Sequence, residues 1–145
     1  VEIASKFDSK ILIEKAIVGK EVECAVIGND AVKASTVGQI LPAEEFYSYD
    51  AKYKNAESKV VIPANLSADK IDEIRKLAIK AFKAVDGKGL SRVDFFVEEN
   101  TEKVYINEIN TMPGFTEISM YPQLWQAEKM QYSELLDELI ELAMK

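Results

Sequence analysis

Four polar residues on two neighbouring segments carry groups that could do chemistry. Arg92 and Asp94 alternate with apolar residues in GLSRVDFFV, and Glu108 and Asn110 alternate in the same way in YINEINTMPGFT. Alternation with a period of two is typical of a β-strand, so each pair lies on one strand face. If the two strands form a hairpin that pairs even positions with even positions, Asp94, Glu108 and Asn110 cluster beside Arg92.

The side chains of this cluster offer oxygen ligands and no sulfur or nitrogen ligands. Such a set favours a hard divalent cation, Mg²⁺ or Mn²⁺, over Zn²⁺. Magnesium sites commonly combine a few carboxylates with substrate phosphates, so the implied substrate is a nucleotide. The Pro113-Gly114 pair that follows would turn backbone N–H groups toward an anion. The spacing alone also fits an ion pair of Arg92 with Asp94 or Glu108 on a solvated face.

Composition excludes several other classes of function. The 145 residues carry a net charge of −7 with no basic block, which argues against nucleic acid and anionic membranes as partners. Histidine is absent and Cys24 is the only cysteine, which excludes an imidazole base, a histidine-rich zinc site and an intramolecular disulfide. No apolar run approaches the about 20 residues of a membrane-spanning helix, and no signal peptide opens the chain. We therefore expect a cytoplasmic protein.

The hydrophobic pattern predicts the strands that surround these residues. Runs rich in β-branched residues predict strands in KILIEKAI, KEVECAVIGND and NDAVKASTVGQIL, with a turn at Gly19-Lys20 between the first two. In the second run apolar residues alternate with Glu21, Glu23 and Ala25, the pattern of a half-buried strand. GLSRVDFFVE and KVYINEIN form the hairpin already described. A long stretch over 41–58 shows no period, and we expect a loop there.

Helices are predicted in the middle and at the end of the chain. The pattern over 67–86 begins at Ser67 as N-cap and ends at Gly87. A short helix is expected around 120–129, and a last helix follows with Ser133 as its cap. The order of strands, one helix, a hairpin and further helices predicts an α+β fold with a largely antiparallel mixed sheet and flanking helices.

Four motifs together resemble one family. GLSRVDFFV, YINEINTMPGFT, ISMYP and YDAKY are similar to segments of the D-alanine–D-alanine ligases, which are members of the ATP-grasp superfamily. The resemblance runs from about residue 11 to the end of the chain. Ligases of this family are considerably longer. The resemblance therefore implies that residues 1–145 are a carboxyl-terminal ATP-grasp catalytic domain, without the amino-terminal domain and the phosphate-loop region.

The resemblance implies ATP-dependent ligation of two D-alanines to D-alanyl-D-alanine for peptidoglycan biosynthesis. In the family, ATP phosphorylates the carboxylate of one D-alanine, and the amine of a second attacks the acyl phosphate. Two Mg²⁺ or Mn²⁺ ions and a homodimeric parent protein are also implied, and we expect the chain by itself to be inactive. Two alternatives stay open. One is a related ligase that joins D-alanine to D-lactate or D-serine, and the other is a non-catalytic module that binds nucleotide or metal.

The resemblance also assigns nucleotide-binding and metal-binding positions. Glu14 matches the acceptor of the adenine amino group, and Glu21 matches the acceptor of the ribose hydroxyls. The backbone of the segment after Glu14 matches the part that meets the adenine edge. The residues of that segment are Lys15, Ala16 and Ile17. The matched ligands of the two ions are Asp94, Glu108 and Asn110, with Glu108 bridging.

The remaining positions match groups that act on the substrates. Arg92 and the backbone N–H of Gly114 match the groups that hold the developing oxyanion. Lys52 matches a loop lysine that binds ATP at the transferred phosphoryl group. Ser119 matches a residue that binds the carboxylate of the second D-alanine, and Tyr53 belongs to the loop that covers it.

Tyr53 also bears on which acceptor is used. Members that prefer D-lactate tend to carry His after the loop lysine, so Tyr53 implies D-alanine as the acceptor. Without the resemblance, these residues have plainer interpretations. Lys52 is then a solvated loop lysine, Ser119 a helix N-cap, and Glu14 and Glu21 exposed strand residues.

Overall fold

The computed structural model describes residues 1–41 and 59–145, and within them five strands form one antiparallel sheet that carries three α-helices. The strands are β1 (Gly19–Gly28), β2 (Lys33–Leu41), β3 (Lys59–Val61), β4 (Gly89–Glu98) and β5 (Val104–Asn110). The helices are α1 (Ala68–Ala84), α2 (Met120–Ala127) and α3 (Tyr132–Ala143), and a short 3-10 helix spans Ala4–Lys6. The strand order is β3-β2-β1-β4-β5. The predicted α+β class is confirmed, and every pairing is antiparallel.

The two faces of the sheet are covered differently. One face packs against α1 through a continuous apolar core that includes Val22, Cys24, Val26, Ile74 and Phe82. On the other face, α2 and α3 cover a second apolar cluster that includes Ala25, Ile27, Tyr121, Leu124 and Leu135. Toward the start of β1 this second face becomes polar, because Glu21 and Glu23 precede Ala25 at intervals of two residues. Arg92 and Asp94 lie on this second face, because they are paired with Ala25 and Glu23 of β1.

Most predicted helix ends agree with the structure. Ser67 is the N-cap of α1, and its hydroxyl accepts from the N–H of Lys70 at 3.3 Å. Gly87 follows the end of the helix and donates to the carbonyl of Phe82 at 2.9 Å. The cap predicted for the last helix is wrong. α3 begins after Gln131, whose N–H donates to Glu134 at 2.7 Å, so Gln131 and not Ser133 is the N-cap.

The strand predicted in KILIEKAI is also wrong. Residues 11–18 have no regular secondary structure, and Gly19 and Lys20 already belong to β1. Leu12 and Ile13 are 81% and 77% exposed. A β-branched run forms a strand when it can pack on a pleated, half-buried surface, and the exposure of Leu12 and Ile13 shows that these side chains do not pack in this way.

None of the helices in the described ranges is both long and apolar enough to cross a membrane.

Gly19 is where the irregular segment enters the sheet, and the space there is very small. A Cβ at this position would overlap the carbonyl oxygen of Val97 and would lie 2.9 Å from the Cα of Glu98. Gly19 pairs with Glu98 at the first step of the β1–β4 ladder. Only a residue without a side chain lets the two backbones approach this closely.

We predict that Gly19→Ala destabilises the chain by roughly 1–3 kcal/mol, because the methyl group forces β1 away from β4. The measurement is the midpoint of urea-induced unfolding. The matched control is Val18→Ala, since Val18 is 71% exposed and should change stability by less than about 0.5 kcal/mol. Equal midpoints for the two variants would contradict the close approach at Gly19.

Candidate functional site

The hairpin of β4 and β5 brings four predicted site residues together. Arg92 is paired with Asn110, and Asp94 is paired with Glu108, so the predicted even-with-even register is confirmed. Paired residues of adjacent strands project to the same face, and this face is the one opposite α1. Asp94 is buried and Glu108 is exposed. One carboxylate therefore lies under the site and the other at its opening.

A β-bulge interrupts the same hairpin next to these residues. Past Asp94 and Glu108 the register shifts, so that Phe96 is paired with Tyr105 and Asn107 has no partner in β4. Val104 packs against the α1 core, on the face opposite Glu108, although an uninterrupted alternation would place the two residues on the same face. The extra residue turns Tyr105 to the site face instead, as bulges near functional sites commonly do.

Arg92 is the centre of a buried cluster of charges. It donates to Asp94 from Nε and from Nη2, at 2.8 and 2.7 Å. Its Nε also lies 3.0 Å from Oε2 of Glu23 on β1, and the Glu23 side chain is only 5% exposed. The Arg92–Asp94 ion pair that the spacing had left open is therefore present, with a buried carboxylate and a guanidinium side chain that is 19% exposed. Glu23 was not among the predicted site residues.

The environment shifts the pKa of two groups in this cluster. The pKa of the Glu23 carboxyl is raised to about 7: burial is the largest cause, the neighbouring Asp94 charge acts in the same direction, and Arg92 partly offsets the rise. The hydrogen bonds to Asp94, together with the charge of Glu23, raise the pKa of the Arg92 guanidinium above its ordinary value, against the effect of burial. Arg92 is thus a permanent cation on this face of the sheet.

The donor set fits a hard divalent cation. Asp94 and Glu108 supply carboxylate oxygens, and Asn110 supplies an amide oxygen that accepts from the N–H of Met112 at 3.1 Å. An ionised carboxylate has about four lone-pair sites, so Asp94 keeps acceptor capacity beside its two bonds to Arg92. Within the described ranges no three or more acidic, histidine or cysteine side chains form a metal-holding group. Two carboxylates and one amide leave room for the water and phosphate oxygens that Mg²⁺ retains.

The predicted adenine-contacting segment lines a cleft beside this cluster. The cleft has a volume of about 620 Å³. Its walls are Glu14, Lys15, Ala16, Ile17, Phe96, Tyr105, Ile106 and Asn107. Lys15 Nζ lies 3.6 Å from Oε1 of Glu98 and 5.7 Å from the centre of the Tyr105 ring. Glu21 is paired with Phe96 across β1 and β4, which places it at the edge of the same cleft.

The 111–119 loop connects β5 to α2 and carries Gly114 and Ser119. A Cβ at Gly114 would lie 3.0 Å from the hydroxyl of Ser119, so the two residues are in contact. Ser119 is at the N-cap position of α2, as its plainer interpretation predicted, but its side chain makes no cap hydrogen bond. The hydroxyl instead accepts from the N–H of Thr116 at 3.0 Å and is 2.8 Å from the Thr116 hydroxyl.

Tyr132, at the start of α3, supports this loop and was missed by the sequence analysis. Its hydroxyl donates to the carbonyl of Phe115 at 2.9 Å. The Phe115 ring lies 5.6 Å from the rings of both Tyr121 and Tyr132. Phe115, the residue after Gly114, thereby contacts both α2 and α3. Pattern analysis gives no signal for such a contact, because the donor and acceptor belong to different elements.

Two predicted residues are not placed. Lys52 and Tyr53 lie outside the described residues. Of the other predicted positions, Arg92, Asp94, Glu108 and Asn110 form one cluster, while the segment over 14–17 lines the neighbouring cleft. Gly114 and Ser119 form a third group on the loop that follows β5.

Comparison with solved structures defines the class of this fold. A D-alanine-D-alanine ligase from Coxiella burnetii superimposes with a TM-score of 0.77 at 46% identity, over 90% of this chain and 33% of that chain. A D-alanine–D-alanine ligase from Bacillus anthracis complexed with ATP gives 0.78 at 32% identity, over 99% and 45%. The VanG D-Ala:D-Ser ligase from Enterococcus faecalis gives 0.79 at 37%, over 89% and 37%. The fold is therefore of the ATP-grasp class.

Sequence comparison narrows the class to one family. The family model described as D-ala D-ala ligase C-terminus matches residues 1–141, and the chain belongs to this family. A D-alanine–D-alanine ligase from Clostridium novyi is 56% identical over 145 residues, which are 100% of this chain and 42% of the relative. One from Acetivibrio thermocellus is 58% identical over 142 residues, 98% of this chain and 38% of the relative. The chain thus spans about two fifths of the length of these relatives.

The raised pKa of Glu23 makes stability depend on pH. The pKa rises from 4.5 to about 7 on folding, so the folded chain binds this proton more tightly than the unfolded chain does. Stability from this group is complete below about pH 4.5 and is lost as the pH rises to about 7. We predict that Glu23→Gln removes this loss, which amounts to as much as about 3 kcal/mol.

The measurement is urea unfolding in metal-free buffer at about pH 5 and again above pH 7. The stability difference between the two conditions should be smaller in Glu23→Gln than in the wild type. Parallel pH dependence of the two proteins would mean that the Glu23 carboxyl is not destabilised by burial.

Proposed function

We propose that this chain is the metal- and phosphate-handling part of an ATP-dependent ligase that joins two D-alanines into D-alanyl-D-alanine for peptidoglycan. The single observation that supports this most is the hairpin cluster, in which Asp94 faces Glu108 and Arg92 faces Asn110. It combines oxygen donors for divalent cations with a fixed cation for the substrate, in a chain whose family is that of the D-alanine ligases.

The extent of the match supports the proposed domain assignment. Residues 1–145 would be the carboxyl-terminal ATP-grasp catalytic domain, since the family model described as the ligase C-terminus matches residues 1–141. The relatives have more than half of their length outside the matched part. An active ligase would then need that additional part, and the 145-residue chain alone would show no D-alanine-dependent turnover. The ligase as a whole would be a homodimer.

Asp94, Glu108 and Asn110 are the residues that would hold two Mg²⁺ or Mn²⁺ ions. When bound, such ions neutralise the charge of the transferring phosphate oxygens. Arg92 approaches the same space as a permanent cation and is fixed by Asp94 at 2.8 and 2.7 Å. A fixed donor that needs no reorganisation during the reaction stabilises developing negative charge effectively.

The cleft beside the cluster is the proposed place for the nucleotide base. Glu14 and the 15–17 segment line it together with the aromatic residues Phe96 and Tyr105. Aromatic side chains next to backbone polar groups suit a flat base with polar edges. Glu21, at the edge of the cleft, would accept hydrogen bonds from the ribose.

The 111–119 loop would receive the amino acids. The backbone N–H of Gly114 would donate to the reacting carboxylate, beside Arg92 in the role of oxyanion donor. Ser119 would bind the carboxylate of the second D-alanine by donating its O–H, which is available when the Thr116 hydroxyl is the donor in their 2.8 Å hydrogen bond. Lys52 and Tyr53 lie outside the described residues; in the proposed function Lys52 would bind the transferred phosphoryl group and Tyr53 would bind near the second D-alanine.

D-Serine is an alternative acceptor, since one similar solved protein is a D-Ala:D-Ser ligase. That protein has the same fold as this chain, so the fold does not distinguish between D-alanine and D-serine as acceptor. A tyrosine side chain is ordinarily uncharged near pH 7, so Tyr53 would offer a hydrogen bond instead of a positive charge. We therefore propose D-alanine as acceptor, with D-lactate and D-serine used poorly.

We predict that Glu108→Gln in a full-length ligase that carries this chain lowers turnover by at least about 10²-fold. The weakened site would hold less well the ions that neutralise the negative charge of the transferring phosphate. The assay is D-alanine-dependent release of phosphate from ATP. Glu102→Gln, the same change at an exposed residue of the β4–β5 turn, is the control and should retain turnover. Normal turnover in Glu108→Gln would remove the divalent site from the proposed function.

We predict that the same full-length ligase, offered equal D-alanine and D-lactate near neutral pH, forms D-alanyl-D-alanine as its main product. Chromatography with mass detection separates the dipeptide from the depsipeptide. Tyr53→Phe should weaken binding of the second D-alanine more than that of ATP, because it removes one hydrogen-bond donor near the acceptor. Mainly depsipeptide from the wild type would show that the role of Tyr53 is wrong.

A further inference from the structure

The guanidinium of Arg92 lies between two buried carboxylates that come from different strands. Asp94, two positions further along β4, accepts from Nε and from Nη2. Glu23 stands directly opposite Asp94 on β1, and its Oε2 is 3.0 Å from the same Nε. One cationic group therefore serves two buried anions, and the second of them belongs to a strand with no predicted metal ligand.

The guanidinium of Arg92 donates hydrogen bonds to Asp94 but not to Glu23. An arginine Nε carries a single N–H, and here that N–H is donated to Oδ1 of Asp94. Oε2 of Glu23 is at ion-pair distance but accepts no hydrogen bond from any residue in the described parts of the chain. A buried acceptor without a donor is unfavourable. A small rotation of the Arg92 side chain would transfer the N–H from one carboxylate to the other.

Asp94 has competing partners if it also ligates a divalent cation. The ion draws on the same carboxylate oxygens and repels the guanidinium. Arg92 has a long stem with several rotatable bonds, so a weakened bond to Asp94 would let its charged group leave its position. Glu23 is the neighbouring group whose charge attracts Arg92 and which stays outside the hairpin that carries the proposed metal ligands.

We propose that Glu23 is a positioning residue: it accepts the Nε–H of Arg92 when Asp94 ligates a divalent cation, and so keeps the guanidinium fixed on the substrate side of the sheet. The inference rests on the proposed divalent site, and it extends that site to a residue of β1 that acts through Arg92. We therefore expect the position of the Arg92 guanidinium to depend on Glu23 only when the ion is bound.

The sequence makes a direct test possible, because Arg75 and Arg92 are its only arginines. In the ¹⁵N-labelled 145-residue chain, Mn²⁺ reports ion binding through broadening of the backbone amide signals of Asp94 and Glu108. Mg²⁺ is then added while the Nε–H signal of Arg92 is followed by NMR. The Arg75 signal is the internal control, since its side chain contacts Ala34 and not this cluster.

In the wild type, we expect the Arg92 signal to shift with Mg²⁺ and to stay protected from exchange with water. In Glu23→Gln the signal should be present without Mg²⁺, where Asp94 still holds it, and should be lost when Mg²⁺ is added. Glu23→Asp, which keeps the carboxylate, should restore part of the signal. The matched control Glu108→Gln weakens the ion site but not the contacts of Arg92, and should make the Arg92 signal insensitive to Mg²⁺.

Three results would overturn the proposal, and they differ in what they leave standing. Persistence of the Arg92 signal in Glu23→Gln at saturating Mg²⁺ would remove the role of Glu23 and leave the divalent site intact. Loss of the signal in metal-free Glu23→Gln would show constant structural support in place of a role tied to the ion. Absence of Mn²⁺ broadening at Asp94 and Glu108 in the wild type would remove the divalent site itself, and the role of Glu23 with it.

Discussion

The pairing of β1 with β4 is the constraint on which the rest of the structure depends. It runs from Gly19 opposite Glu98 to Gly28 opposite Gly89 without a shift in register. A slip of one residue would exchange the two faces of a strand, so this ladder decides which side chains meet α1 and which remain in the site. It sets Glu23 opposite Asp94, and it holds the irregular segment before Gly19 against the cleft.

The charges that this ladder brings together have little value as a source of stability. Removing an arginine and two carboxylates from water is costly, and their mutual attraction in the interior often does no more than offset that cost. The pKa of Glu23, raised to about 7, is a direct sign that the cost is not fully compensated. What the arrangement does provide is a cation whose direction is fixed before any substrate arrives, which favours a role in chemistry over a role in folding.

The residues of the site could be predicted from the sequence more fully than the contacts that hold them in place. The alternation in both hairpin strands predicted which residues share a strand face, and the even-with-even register on which the cluster was conditional is the one observed. The bulge at Asn107 could not be predicted, because one extra residue in a strand leaves no signal in its amino-acid composition. Glu23 was read as an outward residue of a half-buried strand, and its burial depends on a tertiary contact. The strand predicted before Gly19 was wrong because β-propensity says nothing about whether a partner surface exists.

The 111–119 loop is held from several directions. β5 precedes it, α2 follows it, and Tyr132 of α3 binds the carbonyl of Phe115, while α2 is attached to β1 through a buried tyrosine hydroxyl. Its backbone is therefore shaped by parts of the molecule that do not line the site. Met112 and Ile118 are 89% and 85% exposed and take no part in that support. Replacements at these two positions leave the support of the loop intact, so in the proposed ligase the surface that the loop offers to a substrate can vary independently of folding.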